Sequence, residues 1–402
     1  MKFLYSVQRY GEGIVGGSES ATRLLAEQLV RRGHSVDVLT SCAISYIDWA
    51  DEYAPGIEVI NGVTVHRLPV IAPRDDSAFG PIHQRVLERP RSTPYSDQQR
   101  WIQMMGPELS GHVEWLLQNY QKFDVAIFMT YLYTTTTMGL PVLSGLLPTI
   151  LQPTAHEEQM AMASVFLSLF QQPDAFLFFT PEEKLVVEKL YGIRPHGSII
   201  GLGIGDKLTD LDVPGFCKKF SVIENQYLIY VGRIDQAKAV GELISFFQAM
   251  KLRGSSSLKL VLVGEEIIEV PKDPNIIVTG FLSESEKESA IAGALALVQP
   301  SYFESFSIVL CEGWKQSTPA LVQGKCAVLR GQAIRSGGAI PYEGFAEFEV
   351  AVEYLVANPE VASALGASGR EYVQKNYDWE IVLDRLEQTV VLAQERFSQR
   401  RL

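Results

Sequence analysis

The sequence predicts an α/β protein with two doubly wound domains, each built around a parallel sheet. Two observations support this prediction: short apolar runs alternate with helical segments along the chain, and the chain is 402 residues long. Strands that alternate with helices imply parallel sheets. Because this length exceeds one ordinary domain, we expect two domains of about 200 residues each.

The first half of the chain begins with a strand, a glycine-containing loop and a helix. We predict a strand over Phe3 to Val7 rather than a signal peptide, and a helix over Ser20 to Arg32, capped by Ser18 and ended by Gly33. Between two later strands, residues 73–103 are predicted to be polar and irregular. The other strands predicted in this half cover residues 35–40, 63–68, 125–129, 149–153 and 175–179, and the chain is predicted to leave the sheet over residues 198–203.

The second half repeats the alternation after a linker. The linker is predicted from Gly205 to about Asn225, where the apolar pattern is interrupted. Helical segments separate the strands that follow, which are predicted over residues 227–231, 258–263, 276–279, 295–299 and 320–322. This pattern predicts a second doubly wound sheet.

Composition restricts the class of protein. The chain has 35 basic and 47 acidic residues and a formal net charge of −12. This charge argues against a nucleic-acid-binding protein, because such proteins carry a basic domain or stripe. No apolar run approaches the ~20 residues that cross a membrane. The four cysteines show neither CxxC spacing nor a disulfide framework, so we expect reduced, mostly structural thiols in a cytoplasmic enzyme.

The most informative segment contains two glutamates eight positions apart, Glu304 and Glu312. A predicted strand ends before Pro300, and a helix is predicted over Ser305 to Gln316, since Pro319 cannot continue it. Glu304 is therefore placed beside backbone N–H groups that have no intrahelical partner. Helix N-termini attract phosphate and carboxylates bind sugar hydroxyls, so this turn suits a nucleotide sugar. Taken alone, the pair is also typical of a solvated helix face.

Two cations follow the first strand of the second half. Arg233 comes directly after Gly232, and Lys238 stands five residues further on. Cations at the carboxyl end of a strand suit a diphosphate, which carries dense negative charge. A solvated loop is the alternative interpretation, but the glutamate pair in the same half favours a diphosphate site.

The chain resembles the retaining GT-B glycosyltransferases of family 4, the group 1 glycosyltransferases. Three family signatures carry the resemblance: a spaced pair of glutamates, a Gly-Arg followed by a lysine, and a Gly-Gly loop after the first strand. They are matched by Glu304 and Glu312, by Gly232, Arg233 and Lys238, and by Gly16 and Gly17.

The resemblance implies both a fold and a reaction. The GT-B fold places two Rossmann-like domains face to face across a cleft. An acceptor-side domain is expected over residues 1–205, a nucleotide-sugar donor domain over residues 206–377, and a last helix, in residues 378–402, that crosses back onto the first domain. The implied reaction moves a sugar from a nucleoside-diphosphate sugar to an acceptor hydroxyl with retention of configuration, and it needs no metal or other cofactor.

The resemblance also implies roles for individual residues. Arg233 and Lys238 would hold the departing diphosphate, Glu304 the donor sugar and Glu312 the ribose, while His156 would contact the donor sugar. The expected catalytic set is therefore Glu304, His156, Arg233 and Lys238. Further donor-binding positions, including those near the base, are Gly16, Gly17, Gly232, Gly264, Phe281, Leu282, Ser305, Phe306 and Ser307.

Two of the departures from the family pattern replace glycine residues. Where many members have Gly-Phe-Gly after the first glutamate, this chain has Ser305, Phe306 and Ser307. The family lysine is usually followed by glycine, whereas Ala239 follows Lys238 here. Neither change removes a charge that the reaction needs.

A dinucleotide-binding site is the main rival interpretation of the first loop. Gly11, Gly13 and Gly16 have G-x-G-x-x-G spacing, and Asp37 lies about 20 residues on. A dinucleotide fingerprint needs a tight turn that presents the helix N-terminus, and the loop before Ser18 is too long for that. We expect instead a flexible loop over the cleft, with Asp37 as a structural residue.

The acceptor is expected on the first domain. Tyr131 and Tyr133 follow a strand, and tyrosine rings can stack on sugars while their hydroxyls bond to them. A basic and aromatic segment from His83 to Trp101 could contact an anionic acceptor or a membrane surface, and a solvated loop is an equal alternative. Asp210 and Asp212 are interpreted as a solvated turn rather than a metal site.

We expect a UDP- or GDP-linked donor and a sugar or glycoconjugate acceptor, in polysaccharide or glycoconjugate biosynthesis, and no nucleic-acid partner. The predicted location is the cytoplasm, including peripheral contact with the inner face of the membrane. Two other classes stay open: a GT-B enzyme of another reaction, such as a nucleotide-sugar epimerase or a phosphorylase, and a non-catalytic nucleotide-sugar-binding partner subunit.

Overall fold

The computed structural model describes residues 1–14, 16–205, 210–254 and 257–400. The chain divides into two compact units: Met1–Gly203 with Trp379–Leu402, and Ile204–Asp378. The predicted linker and the predicted domain boundary after residue 205 fall partly on residues 206–209, which lie outside the described residues. The end of the predicted last segment, residues 401 and 402, lies outside them as well.

In the first unit, the described residues form an eight-stranded sheet. Its strands are β1 Lys2–Ser6, β2 Ser35–Ser41, β3 Gly56–Ile60, β4 Val63–Leu68, β5 Val125–Met129, β6 Thr149–Gln152, β7 Ala175–Phe178 and β8 Gly197–Ile199. Their order is β3-β4-β2-β1-β5-β6-β7-β8, and all neighbours are parallel except β3 and β4. Strand β3 was not predicted, because this edge strand is largely exposed and shows no buried apolar run.

The first unit contains the following α-helices before the linker. They are α1 Gly17–Arg31, α2 Asp76–Glu88, α3 Tyr95–Met105, α4 His112–Asn119, α5 Thr134–Thr137, α6 Gly139–Leu143, α7 Phe166–Leu169 and α8 Pro181–Tyr191.

The prediction of an irregular segment over residues 73–103 is wrong, because α2 and most of α3 lie there. The Asp75 side chain accepts hydrogen bonds from the first turn of α2, as a helix cap does. Phe79, Ile82 and Val86 recur at helical spacing and are buried. The predicted cap at Ser18 is also wrong: α1 begins at Gly17, and the Ser18 hydroxyl donates to the Glu19 carboxylate at 2.7 Å.

In the second unit, the described residues form a six-stranded parallel sheet. Its strands are β9 Tyr227–Val231, β10 Lys259–Val263, β11 Ile276–Gly280, β12 Ala296–Gln299, β13 Ala320–Gln323 and β14 Ala339–Tyr342. Their order is β11-β10-β9-β12-β13-β14. Strand β14 was not predicted, because its apolar run is short and contains Pro341.

The α-helices of the second unit precede, separate or follow these strands. They are α9 Val213–Phe220, α10 Val240–Arg253, α11 Glu284–Ala292, α12 Ile308–Lys315, α13 Ala327–Ser336, α14 Phe345–Ala357 and α15 Pro359–Asn376. Helix α9 lies within the predicted linker, so that prediction is wrong for its described second part. Asp212 caps α9 by accepting from the Gly215 N–H at 2.8 Å, and both Asp210 and Asp212 are exposed, as expected of a solvated segment.

The last helix, α16 Trp379–Arg400, belongs to the first unit, where it packs on β6, β7, β8 and α1. Charged contacts hold it there. Arg32 and His34 contact Glu387 at 3.1 and 2.8 Å, and Arg396 donates to the Asp174 carbonyl at 2.9 Å.

Strand order reverses once in each sheet: between β1 and β5 in the first unit, and between β9 and β12 in the second. In open α/β sheets, ligands bind outside the carboxyl ends of the strands at such a point. The segments that follow these four strands are therefore the places where each unit would carry a binding site.

All four cysteines are free thiols, and Cys42, Cys311 and Cys326 are buried. Burial raises the pKa of Cys42 and of Cys326 to about 11, which keeps both thiols protonated.

Across the described residues, none of the helices is both long enough and apolar enough to cross a membrane.

Candidate functional site

In the second unit, the loops after β9 and β12 bring together a lysine and a glutamate that are 66 residues apart in sequence. Lys238 Nζ lies 2.7 Å from Glu304 Oε1. The Lys238 side chain is 33% exposed and that of Glu304 is 13% exposed, so both reach the solvent. This pair lies at the strand-order reversal, where the topology predicts a ligand.

Arg233 and Lys238 share a third residue, Asp235. Arg233 Nη2 lies 3.1 Å from Asp235 Oδ2, and the backbone N–H of Lys238 donates to Asp235 Oδ1 at 2.8 Å. The Tyr230 hydroxyl donates to the Arg233 carbonyl at 2.8 Å. Asp235 was not predicted as a site residue, although an Asp three residues before the lysine has the spacing of a local side-chain-to-backbone turn.

Glycine is required at the ends of two neighbouring strands. Gly232 and Gly264 have φ of +148° and +134°, and a Cβ on Gly264 would collide with the Gly232 carbonyl. A Cβ on Gly232 would lie 2.7 Å from the Tyr230 hydroxyl oxygen. The backbone at this edge of the sheet is therefore not covered by side chains of residues 232 and 264. After β11, the Phe281 side chain is 66% exposed and Leu282 is half-buried.

Helix α12 begins at Ile308, three residues later than predicted, because Ser307 adopts a φ of +69°. The Ser307 hydroxyl accepts from Gln299 Nε2 at 2.9 Å. Phe306 is buried and packs edge-on against Tyr377, with ring centroids 4.9 Å apart. Its ring therefore belongs to the core, whereas Ser305 is half-buried on the same loop.

Two of the three positions at which the family pattern has glycine are strained. Ala239 and Ser307 both have positive φ, +55° and +69°, in the left-handed region that favours glycine. Each stands directly before a helix, α10 or α12. The departures from the family pattern therefore leave the backbone conformation in place at an energetic cost.

Glu312 forms a second ion pair of the second unit. Its Oε1 lies 3.0 Å from Lys287 Nζ on α11, and Lys287 also lies 3.0 Å from Glu284. Burial raises the pKa of the Glu312 carboxyl, and the Lys287 ammonium acts in the opposite direction. Lys287 was not predicted as a site residue, since a lysine on an acidic helix is typical of a solvated face.

In the first unit, the loop after β1 is held by a buried ion pair. Arg9 Nε donates to Glu19 Oε1 at 2.9 Å, and the two side chains are 7% and 6% exposed. A Cβ on Gly16 would collide with the Glu19 carboxylate, whereas Gly17 faces open space. Residues 7–11 are buried, so this half of the loop is packed, although a flexible loop was expected.

The dinucleotide interpretation fails on geometry, as predicted. Strand β1 ends at Ser6 and α1 begins only at Gly17, so the glycines do not form a tight strand-to-helix turn. Asp37 lies within β2 and its carboxylate contacts His66 Nε2 at 2.6 Å, which is a structural role.

His156 follows β6 on the carboxyl edge of the first sheet. Its Nδ1 lies 3.0 Å from Glu158 Oε1, and the Tyr131 hydroxyl donates to the same oxygen at 3.0 Å. Because Tyr131 is only 1% exposed, its ring cannot stack on a sugar, and the prediction of an acceptor wall is wrong for this residue. Tyr133 is half-buried and packs edge-on against Trp49.

The buried carboxyl group of Glu183 is hydrogen-bonded to the loop that carries His156. Glu183 accepts hydrogen bonds from the Ala155 N–H at 3.0 Å and from the Phe179 N–H at 2.7 Å. Burial raises the pKa of Glu183 to about 8, although these backbone donors favour its ionised form. The two hydrogen bonds join the loop after β6 to the start of α8.

The basic and aromatic segment of the first unit is built into the fold. Trp101 is buried, and its indole N–H donates to His83 Nδ1 at 3.1 Å. Arg85 contacts Asp97 at 3.1 Å. Trp101 and Arg85 therefore have partners within the protein, and no ligand is needed to explain their presence in the segment.

Comparison with known proteins agrees with this placement. Residues 218–371, which include Arg233, Lys238, Glu304 and Glu312, match the family described as glycosyl transferases group 1. Over 425 residues the chain is 23% identical to a D-inositol 3-phosphate glycosyltransferase of Rhodococcus opacus, covering 96% of this chain and 88% of that protein.

Two solved structures are similar along almost the whole chain. Sucrose-phosphate synthase of Thermosynechococcus elongatus matches with a TM-score of 0.67 and 17% identity, covering 96% of this chain and 97% of that chain. The Anabaena protein HepE in complex with UDP matches with a TM-score of 0.70 and 12% identity, covering 97% and 100%. The fold is GT-B, and together the matches support a GT-B glycosyltransferase.

Proposed function

We propose that the protein transfers a sugar from a nucleoside-diphosphate sugar to an acceptor hydroxyl with retention of anomeric configuration. The observation that carries this proposal is the meeting of Lys238 and Glu304 at 2.7 Å at the strand-order reversal of the second sheet. Arg233 follows the end of strand β9, and the matched family segment covers Arg233, Lys238 and Glu304.

In this proposal, the second unit stabilises the leaving group. Cleavage of the bond to the sugar transfers negative charge to the diphosphate, and Arg233 and Lys238 neutralise that charge. When the diphosphate takes the Lys238 ammonium, the Glu304 carboxylate is released to accept hydrogen bonds from donor sugar hydroxyls. The reaction is a front-side substitution in which the leaving phosphate takes the acceptor proton, so neither a protein nucleophile nor a metal is needed.

Glu312 accepts hydrogen bonds from the ribose of the donor in this proposal, and the nearby Lys287 favours its ionised form. The base lies near the ends of β10 and β11, where Gly264 leaves the backbone bare and Phe281 is exposed. Because one similar structure was solved in complex with UDP, we propose a UDP-linked donor in preference to a GDP-linked donor.

The roles proposed for the first unit are more limited. His156 contacts the donor sugar, and Gly17 offers backbone N–H groups at the start of α1. Tyr133, which is partly exposed, contributes to the acceptor site. The acceptor is a sugar or glycoconjugate, in polysaccharide or glycoconjugate biosynthesis at the cytoplasmic side.

Thermal unfolding in the presence of UDP, GDP, ADP and NAD tests the proposal. A ligand at 100 times its Kd stabilises the folded state by about 2.7 kcal/mol, which raises Tm by about 5–10 °C for a unit of this size. We expect a shift with UDP, and NMR of the product formed from a matching donor should show retention. A shift with NAD alone contradicts the proposal, and so does the absence of a shift with every nucleotide.

A further inference from the structure

Asp235 links the two cations of the proposed donor site. One carboxylate oxygen contacts the Arg233 guanidinium at 3.1 Å, and the other accepts from the Lys238 backbone N–H at 2.8 Å. Asp235 itself is buried. A single carboxylate therefore determines both the direction of the arginine side chain and the turn that carries the lysine.

A negative charge beside a diphosphate site needs a physical reason. By simple electrostatics, Asp235 repels the diphosphate and competes with it for Arg233. The hydrogen bond to the Lys238 N–H would also be available to an asparagine side chain, so the turn alone does not require a charge. The negative charge strengthens the contact with the Arg233 guanidinium, which an uncharged amide would hold less strongly.

We propose that Asp235 is a positioning residue that holds Arg233 and the Lys238 turn in the geometry that receives the diphosphate. Arginine has many rotamers, and a side chain that is ordered before binding loses less conformational entropy when the ligand arrives. This inference rests on the proposed function, because it requires a diphosphate ligand at Arg233 and Lys238.

The role is tested in the full-length protein with Asp235→Asn, which keeps an acceptor for the Lys238 N–H and removes the charge. The probes are UDP and inorganic pyrophosphate, and the readouts are Kd by calorimetry and Tm. We expect Kd for both probes to rise about tenfold, from the loss of one charge-assisted contact, with Tm close to wild type. Asp235→Ala should weaken binding further, since the turn is lost as well.

A double-mutant cycle separates this role from a general effect on the loop. In an Arg233→Ala background, Asp235→Asn should leave Kd unchanged or lower it, because the residue acts through Arg233. The matched control is Asp273→Ala, which removes a similar local turn: Asp273 Oδ1 accepts from the Asn275 N–H at 2.8 Å before β11. Kd for UDP should be unchanged in this control.

The outcomes are distinguishable. Tighter binding of pyrophosphate by Asp235→Asn than by the wild type shows that the carboxylate only repels the ligand, and it overturns the positioning role. An equal effect of Asp235→Asn with and without Arg233 also overturns it. If the wild type binds neither UDP nor pyrophosphate, the proposed function is overturned, and the role of Asp235 with it.

Discussion

The strand-order reversals of the two sheets show how one topology is used in two ways. After β9 and β12, the Lys238–Glu304 pair reaches the solvent, with side chains 33% and 13% exposed. After β1, the Arg9–Glu19 pair is sealed, with side chains 7% and 6% exposed. A charged residue of an exposed pair can exchange its partner for a ligand, whereas a buried pair stabilises the conformation of a loop. Charge at a reversal point therefore indicates a site only when the solvent can reach it.

The largest effect on activity is expected at the exposed pair. Lys238→Ala should lower kcat/KM by about 10²- to 10³-fold, because the ammonium acts on charge that develops on the leaving diphosphate. Tm should change little, since the pair is partly solvated. Lys219→Ala is a matched control, because Lys219 forms an exposed ion pair with Glu286 in the same unit. A Lys238 variant with turnover within a few-fold of wild type contradicts the diphosphate assignment.

The buried pair should show the opposite behaviour. Arg9→Ala leaves Glu19 buried without its cation and should lower the free energy of unfolding by about 3–5 kcal/mol. Urea denaturation measures this change. Replacing both partners, as in Arg9→Met with Glu19→Leu, should restore most of the lost stability, because no charge is then left unpaired. If Arg9→Ala keeps wild-type stability but loses activity, Arg9 belongs to a site rather than to the loop.

A pH effect is expected below the His156 loop, where the pKa of Glu183 is raised from 4.5 to about 8. Because the folded-state pKa lies above the unfolded value, folding favours the protonated carboxyl. The stabilisation is fully present below pH 4.5 and decreases as pH rises to about 8. The free energy of unfolding should therefore fall across this window, and the decrease should be smaller in Glu183→Gln. Denaturation curves at several pH values measure it; an equal decrease in both proteins contradicts this role.

The smallest effects are expected at the strained helix starts. Ala239→Gly should stabilise the protein by about 0.5–1 kcal/mol, since glycine accepts positive φ without strain. Ser307→Gly should stabilise it less, because the hydrogen bond from Gln299 is lost. Ala364→Gly in the exposed part of α15 is the matched control, and it should cost about 1 kcal/mol. Thermal or urea unfolding decides the sign, and a destabilised Ala239→Gly protein shows that the strain is absent.

Much of the fold could be predicted because its elements have local signals. The strands β9, β10, β12 and β13 are buried on both faces and appear in the sequence as short apolar runs between helices. The exposed edge strand β3 has no such run, and α2 and α3 place apolar residues at helical spacing within a polar stretch. Prediction failed where burial is partial.

The candidate site was predictable in its residue types and only partly in its contacts. Arg233, Lys238 and Glu304 were expected on chemical grounds at strand ends, and the structure places Lys238 against Glu304. Asp235 and Lys287 were missed, because an Asp in a turn and a Lys on an acidic helix resemble ordinary surface residues. Tyr131 was chosen for its ring, which the fold buries against Phe166 and Phe170.

By itself, the sequence determined which segments become the buried strands, and which charged residues stand at the ends of those strands. These properties depend on neighbours a few residues apart, through periodicity, glycine and proline. The tertiary structure alone decided that β9 lies beside β12, that Arg9 is buried and Lys238 exposed, and that Glu312 meets Lys287. Strand order and solvent exposure arise from the packing of distant segments, so no local pattern encodes them.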